Sequence, residues 1–280
     1  PLGILHAPCV GYTGTGAMES GLHHKSHGHG FPVVLGTSYL WGADMWQPQI
    51  ERLARTHRVI VPLLPGHDND APLPQDCTTP AALALRVGAL LDELQIGQCA
   101  VAGLSVGGMW AAELALQHPA RVRALMLLDT FLGAEPPATH ARYFGMLDAI
   151  EQAGRIPEAL ITQIVPLFFR PGIAPGDRLR LAFADRLAQW PAARIPTLVA
   201  LGRLIFGRPD RLQALAALDA QHTRVVCGAE DIPRPAAEAR RMAEVIGCQL
   251  ELVPEAGHIS ARENPEAVTA LMQAWLSRLH

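Results

Sequence analysis

The sequence predicts an α/β fold: a mostly parallel central sheet with helices on both faces and a helical cap inserted into it. Three observations carry that prediction. Short apolar runs such as "PVVLG", "HRVIVP", "CAVAGL", "VRALMLLDT" and "RVVCGAED" alternate with longer amphipathic stretches, the pattern of a parallel sheet whose crossovers cover both faces. Between Thr130 and about Thr223 the alternation stops, and it then resumes, so a helical segment is set into one sheet. The chain of 280 residues, 49% of them hydrophobic, is long enough to bury a substantial core.

Taken in order, residues 1–30 resist any period. Within them "GLHHKSHGHG" gathers His23, His24, His27 and His29 and raises the question of a metal site. Composition alone specifies no ligand geometry, so the segment reads as an irregular surface loop. The core is expected over 31–130 and 224–280, with the cap over 131–223. "PVVLG" is a buried strand, "MWQPQIERLAR" an amphipathic stretch interrupted at Pro48, and "HRVIVP" the next strand. "TTPAALALRVGALLDELQI" offers Thr78 or Thr79 as N-cap and Pro80 at the first helical position. The strand "CAVAGL", a helix over 106–118 ending before Pro119, and the strand "VRALMLLDT" follow. In the cap, "PATHARYFGMLDAIEQAG", "PEALITQIVPLFF" and "GDRLRLAFADRLAQW" are helix-like and separated by prolines and glycines. After "RVVCGAED" come a helix, "PAAEARRMAEVIG", a strand, "QLELVPEAGH", and a last helix from about Pro265.

A formal net charge of −3 argues against an electrostatic grip on nucleic acid or an anionic membrane. A small uncharged partner fits better. Five cysteines (Cys9, Cys77, Cys99, Cys227, Cys248) form no C-x-x-C pair, and they read as buried thiols of a reducing compartment. With no run of roughly 18 apolar residues and no visible secretory signal, the expectation is a cytoplasmic protein.

The chemistry starts at Ser105. It stands between Gly103 and Gly107 where the apolar run Cys99–Leu104 meets the helix-like run from Met109, the G-x-S-x-G arrangement that lifts a serine on a sharp strand-to-helix turn. An alcohol is a weak nucleophile at neutral pH and needs a base, which in turn needs an orienting partner. Among twelve histidines, His258 is the best placed: "ELVPEAGHIS" reads as a strand, a turn with Gly257, and a histidine on the loop that follows. His67, in "PGHDND", also follows a strand and is a weaker rival. His118, at a helix end, reads as a capping or surface residue. For the acid, Asp231 ends "VVCGAED" and lies 27 residues before His258, room for one helix and one strand. Asp129 is the reserve and Glu230 a further candidate. Ser105, Asp231, His258 is then the chain order of the serine hydrolases built on an open sheet.

The glycine-flanked serine, the "GAED" acid loop, the "AGHIS" histidine loop and the trailing "ENPEAV" together resemble the α/β-hydrolase superfamily. The closer likeness is to its esterase, 3-oxoadipate enol-lactonase-like and non-haem haloperoxidase-like branch, over residues 32–280. The resemblance implies a nucleophilic mechanism without metal or organic cofactor. It also implies an oxyanion hole from the backbone N–H groups of Val106 and, by alignment through Met45 and Trp46, Tyr39. The chain departs from the pattern in two places. Thr37-Ser38 replaces His-Gly on the oxyanion loop, and Gly66-His67-Asp68 replaces a Gly-His-Gly turn, which asks Asp68 for a left-handed conformation.

The cap carries Phe168, Phe169, Trp190 and Phe206, which predict an apolar pocket beneath it. Arg178, Arg180, Arg186, Arg194 and Arg203 are candidate anchors for a substrate carboxylate. The expected function is hydrolysis of a small carboxylic ester or lactone through an acyl-enzyme. Carbon–carbon bond hydrolysis, perhydrolysis and acyl transfer would reuse the same residues. The altered loops motivate a rival, a ligand-binding or receptor module of low turnover, and the His-rich stretch motivates a metal-dependent hydrolase.

Overall fold

The computed structural model describes residues 18–279. Cys9 and the first part of the expected irregular segment, residues 1–17, lie outside the described residues. Seven strands form one sheet: β1 (His24–His27), β2 (Phe31–Gly36), β3 (His57–Pro62), β4 (Cys99–Leu104), β5 (Val122–Leu128), β6 (Thr223–Gly228) and β7 (Gln249–Val253), in the spatial order β1-β3-β2-β4-β5-β6-β7. All pairings are parallel except β1 with β3. β4 and β6 are buried at every position, as expected of central strands covered on both faces.

β1 is the strand that the sequence hides. His24–His27 is exposed at all four positions, so no alternation marks it, and it is ordered by backbone pairing to Val59–Pro62. Gly28 and Gly30, both at positive φ, turn the chain from β1 into β2. A Cβ at Gly28 would meet the Ala54 carbonyl at 2.3 Å.

Helices form over the stretches that the sequence marks, and over two that it does not, 195–206 and 260–263. α1 (Gln47–Leu53) begins after a short 3-10 turn. α2 (Pro80–Glu93) is capped by Thr79, whose hydroxyl accepts from the Ala82 N–H. α3 (Val106–Gln117) buries ten of its residues, because it lies between the sheet and α2 and has little face left for water. Between β5 and β6 come four cap helices, α4 (Pro137–Ala153), α5 (Glu158–Phe168), α6 (Arg178–Ala188) and α7 (Ile195–Phe206). α8 (Ala236–Ile246), the short α9 (Ser260–Glu263) and α10 (Pro265–Leu276) complete the chain.

The centre of the fold is a three-way backbone contact. A Cβ on Gly103 would fall 2.1 Å from the Gly107 carbonyl oxygen, and one on Gly107 would fall 2.3 Å from the Gly36 oxygen. β4, the start of α3 and the end of β2 therefore touch without side chains between them. Gly103→Ala is expected to cost about 3 kcal/mol, at the upper end of overpacking penalties because both partners are rigid backbone. Gly97→Ala, where nothing lies within 4 Å, should change stability by less than about 0.5 kcal/mol. Urea unfolding midpoints of the two variants check this.

Candidate active site

Close backbone packing at Gly103 and Gly107 leaves Ser105 at φ 57°, ψ −121°, a conformation that L-residues avoid and that persists only where the surroundings over-determine it. The Ser105 N–H donates to Leu128 O and its carbonyl accepts from Gly108 N, Met109 N and the Thr130 hydroxyl. The backbone is thus fixed on both sides, and the side chain lines a cavity at the carboxyl ends of the strands.

There the structure brings Ser105 and His258 together. His258 Nε2 lies 3.1 Å from Ser105 Oγ, and His258 Nδ1 lies 2.9 Å from Asp231 Oδ2. Asp231 is held from behind, its Oδ1 accepting from Arg234 N at 2.9 Å. With Nδ1 donating to the carboxylate, Nε2 is left as the acceptor that a serine proton requires. His258 is buried and packs edge-on against Phe168. Burial works against its charged form, but the Asp231 charge and hydrogen bond, with Asp129 beyond, outweigh it and hold the imidazole above its ordinary pKa.

The other acids have different places. Glu230 is exposed. Asp129, fully buried at φ 45°, does not bond His258. Its Oδ1 accepts from Gly228 N at 2.7 Å and its Oδ2 from the Ser260 hydroxyl at 2.5 Å and the Ser260 N–H at 3.3 Å. It therefore ties the end of β6, before Asp231, to the start of α9, after His258. Burial, and next the Asp231 charge, push its pKa up to about 7.

His67 is not a second base. Its Nδ1 donates to Pro65 O at 3.0 Å and its Nε2 accepts from Leu40 N at 3.0 Å, which fixes a neutral tautomer. Burial pulls its pKa down to about 4. The ring holds the loop after β2, where Leu40 sits at φ 69°. Asp68 does adopt the left-handed conformation, at φ 54°, and its carboxylate accepts from Ala43 N on the same loop at 2.9 Å. His67, which keeps the pattern, and Asp68, which departs from it, thus both brace the loop after β2. On that loop the Tyr39 N–H has no acceptor among the described residues, nor has the N–H of Val106 at the start of α3. Tyr39 is steadied by its hydroxyl, which donates to Leu198 O of α7 at 2.8 Å.

The cavity is about 800 Å3 including its open mouth and is mostly apolar. Met146, Leu147 and Ile150 of α4, Ile164 and Phe168 of α5 and Phe206 of α7 contribute to its walls. Of the four aromatic residues singled out in the sequence, Phe168 and Phe206 face it. Phe169 packs among Trp41 and Phe183, and Trp190 meets the edge of His67. None of the five cap arginines lines the cavity. Arg186 pairs with Asp44, Arg194 with Asp70, and Arg203 with Asp148 and Glu151. The charged residues at the cavity besides His258 are Glu135 and Arg234, and sequence reasoning singled out neither, because a loop arginine carries no periodic signal.

Among the described residues, the side chains that group as possible metal ligands are Asp129, Cys227 and Asp231. Their atoms are already committed: Asp129 and Asp231 as above, and Cys227 Sγ to the carbonyls of Gly228 and Arg234. Burial, with both carboxylates nearby, also pushes the thiol up. They form the frame of the site, not an open ligand set. His23, His24, His27 and His29 are all exposed and join no such group. The described cysteines are free; Cys77, Cys99 and Cys227 are buried, while Cys248 is only half-buried. No helix among the described residues is long and apolar enough to cross a membrane.

The electrostatics give a test independent of turnover. Imidazole proton shifts followed by NMR should place the His258 midpoint above 6.5, and Asp231→Asn should lower it, since the positive ring loses its neighbouring charge.

Residues 26–271 match the sequence model of the alpha/beta hydrolase family. Over 119 residues the chain is 33% identical to RutD of Azorhizobium caulinodans, which carries carbamate hydrolase in its name; the match spans 42% of this chain and 44% of that one. Among solved structures, a thermophilic esterase from Thermogutta terrifontis superposes with a TM-score of 0.82 at 27% identity, covering 92% of this chain and 94% of the other. The enol-lactonase from Burkholderia xenovorans LB400 superposes at 0.78 with 22% identity, over 91% and 96% of the two chains, a likeness of fold alone. With the sheet order, the strained serine at the β4–α3 turn and these matches in hand, the chain belongs to the alpha/beta hydrolase family.

Proposed function

We propose that the protein is a serine hydrolase that cleaves a small carboxylic ester or lactone through an acyl-enzyme. The observation that carries this reading is the unbroken chain Ser105 Oγ, His258 Nε2, His258 Nδ1, Asp231 Oδ2. In the reaction Ser105 Oγ attacks the carbonyl carbon as its proton passes to His258 Nε2. The positive ring is steadied by Asp231, and the Val106 and Tyr39 N–H groups receive the oxyanion. Each such donor is worth roughly 3 kcal/mol of barrier. His258 then returns the proton to the leaving alkoxide, and the C–O bond breaks. Water, deprotonated by the same ring, attacks the acyl-enzyme; the acyl–Oγ bond breaks, His258 returns the proton to Ser105 Oγ, and the acid is released.

The apolar cavity favours neutral substrates with aliphatic chains over charged ones. Asp68 bridges to Ala43 N and His67 to Leu40 N, so the altered loops are held, which weighs against a module that only binds. The reading needs no metal or organic cofactor, and its partner is the small molecule itself, with neither nucleic acid nor membrane.

Initial-rate assays on a panel of short alkyl esters, γ- and δ-lactones and alkyl carbamates test it. Turnover of esters or lactones is expected, and Ser105→Ala should reduce kcat by about a thousandfold or more. A carbamate preference would move the assignment to that neighbouring substrate class while keeping the nucleophile. Ester turnover undiminished in Ser105→Ala would sink it.

A further inference from the structure

One face of α4 lines the cavity beside Ser105. Tyr143, Met146, Leu147 and Ile150 recur at the spacing of a single helical stripe, and all four border it. Three of them are apolar throughout. Tyr143 adds a hydroxyl, although packing alone asks for no more than a phenylalanine at that position. Its ring lies 4.3 Å from that of Phe206 on α7, and Phe206 in turn stands 6.0 Å from Tyr39 on the loop after β2. An aromatic wall thus runs from the oxyanion loop to Tyr143, and a substrate whose carbonyl sits in the oxyanion hole extends its chain along it.

The other polar side chains at the cavity are committed within the protein. Ser105 and His258 bond each other, and the Tyr39 hydroxyl donates to Leu198 O. Both oxygens of Glu135 accept, Oε1 from Arg208 and Arg234 and Oε2 from Arg234. The remaining Arg234 nitrogen, Nη1, is enclosed beside Glu238. Arg234 also reaches the Tyr143 hydroxyl. A guanidinium can only donate, so in that contact the hydroxyl accepts and keeps its own proton. No described residue takes that proton, and the oxygen is not among the buried polar atoms shut away without a partner. Burial holds the phenol above its ordinary pKa, so it stays a donor, and the neighbouring cation polarises it. We propose that the Tyr143 hydroxyl donates to a neutral acceptor oxygen on the substrate, a ketone-type carbonyl along the chain from the scissile group, so that oxo-substituted esters or lactones are preferred to plain alkyl ones. This rests on the reading of the site as an ester hydrolase. A carboxylate is not the matching group, because one uncharged O–H cannot offset the desolvation of an anion, and the Arg234 charge is already met by Glu135.

The test reads kcat/KM in the wild type and in Tyr143→Phe for methyl hexanoate and hexyl acetate, for their counterparts with one ketone stepped along the acyl or the alcohol chain, and for monomethyl adipate. The intrinsic reactivity of each ester is common to both proteins and cancels from the comparison. At one ketone position the oxo-to-plain ratio should fall by about tenfold in Tyr143→Phe, the value of one well-placed hydrogen bond. A purely structural role for Tyr143 would instead lower all the esters alike and leave the ratio as it was. Should Tyr143→Phe not fold, Tyr143→Met keeps the apolar stripe of α4 without the hydroxyl and should give the same fall. A ratio that is unchanged at every position, or a loss confined to the adipate half-ester, would each overturn the proposal. Calorimetric binding of the same intact esters to Ser105→Ala, with and without Tyr143→Phe, separates the two levels. Oxo-selective binding that needs Tyr143, in a wild type that turns over no ester, would contradict the hydrolase reading and keep the donor. Turnover with no selectivity traceable to Tyr143 would do the reverse.

Discussion

Everything at the site depends on how closely three backbones approach one another. Gly36 at the end of β2, Gly103 in β4 and Gly107 in α3 are in direct main-chain contact, and that contact holds Ser105 at a positive φ. The strain at one residue is balanced by packing spread over the central strands, where β4 is buried throughout. The same close approach sets the Val106 N–H at the start of α3, with no acceptor among the described residues. The shape of the turn and the placing of the hydroxyl at the cavity are two consequences of one steric constraint.

Buried carboxylates organise the rest. Asp231 orients His258, and Asp129 ties together the two loops on which that pair rides through Gly228 and Ser260. Glu263 does similar work on the other side, accepting from Gly257 N and Arg170 N, so the histidine loop is fastened to the cap. The Ile259 N–H donates to Phe168 O at 3.0 Å and adds a second tie. Most of these bonds satisfy a backbone N–H near the site, which is how loops at the end of a sheet gain rigidity. The cap is consequently part of the site's frame as well as its roof, with Tyr39 joined to α7 in the same way.

The central strands, the helix caps and the positions of Ser105, Asp231 and His258 were legible in the sequence because each lies where an apolar run ends and a turn begins, a local signal. Other features were not, for physical reasons. β1 has no buried face, so only its pairing with β3 orders it. His67 follows a strand just as His258 does, and only the distance from Nε2 to Leu40 N distinguishes a brace from a base. Asp129 and Asp231 both follow strands, and the choice between them is made by which one faces His258 in space. Arg234 is one of 23 basic residues, and its location at the cavity follows from the path of the loop after β6.

The most direct test of the central claim, that the β4–α3 turn presents an activated serine, is intact-mass measurement after brief exposure to a fluorophosphonate ester, with peptide mapping of the adduct. The account predicts one adduct per chain, on Ser105, that is lost in Ser105→Ala and forms far more slowly in His258→Ala. Folded wild-type protein that takes up no label, or label mapped to another residue, would contradict it.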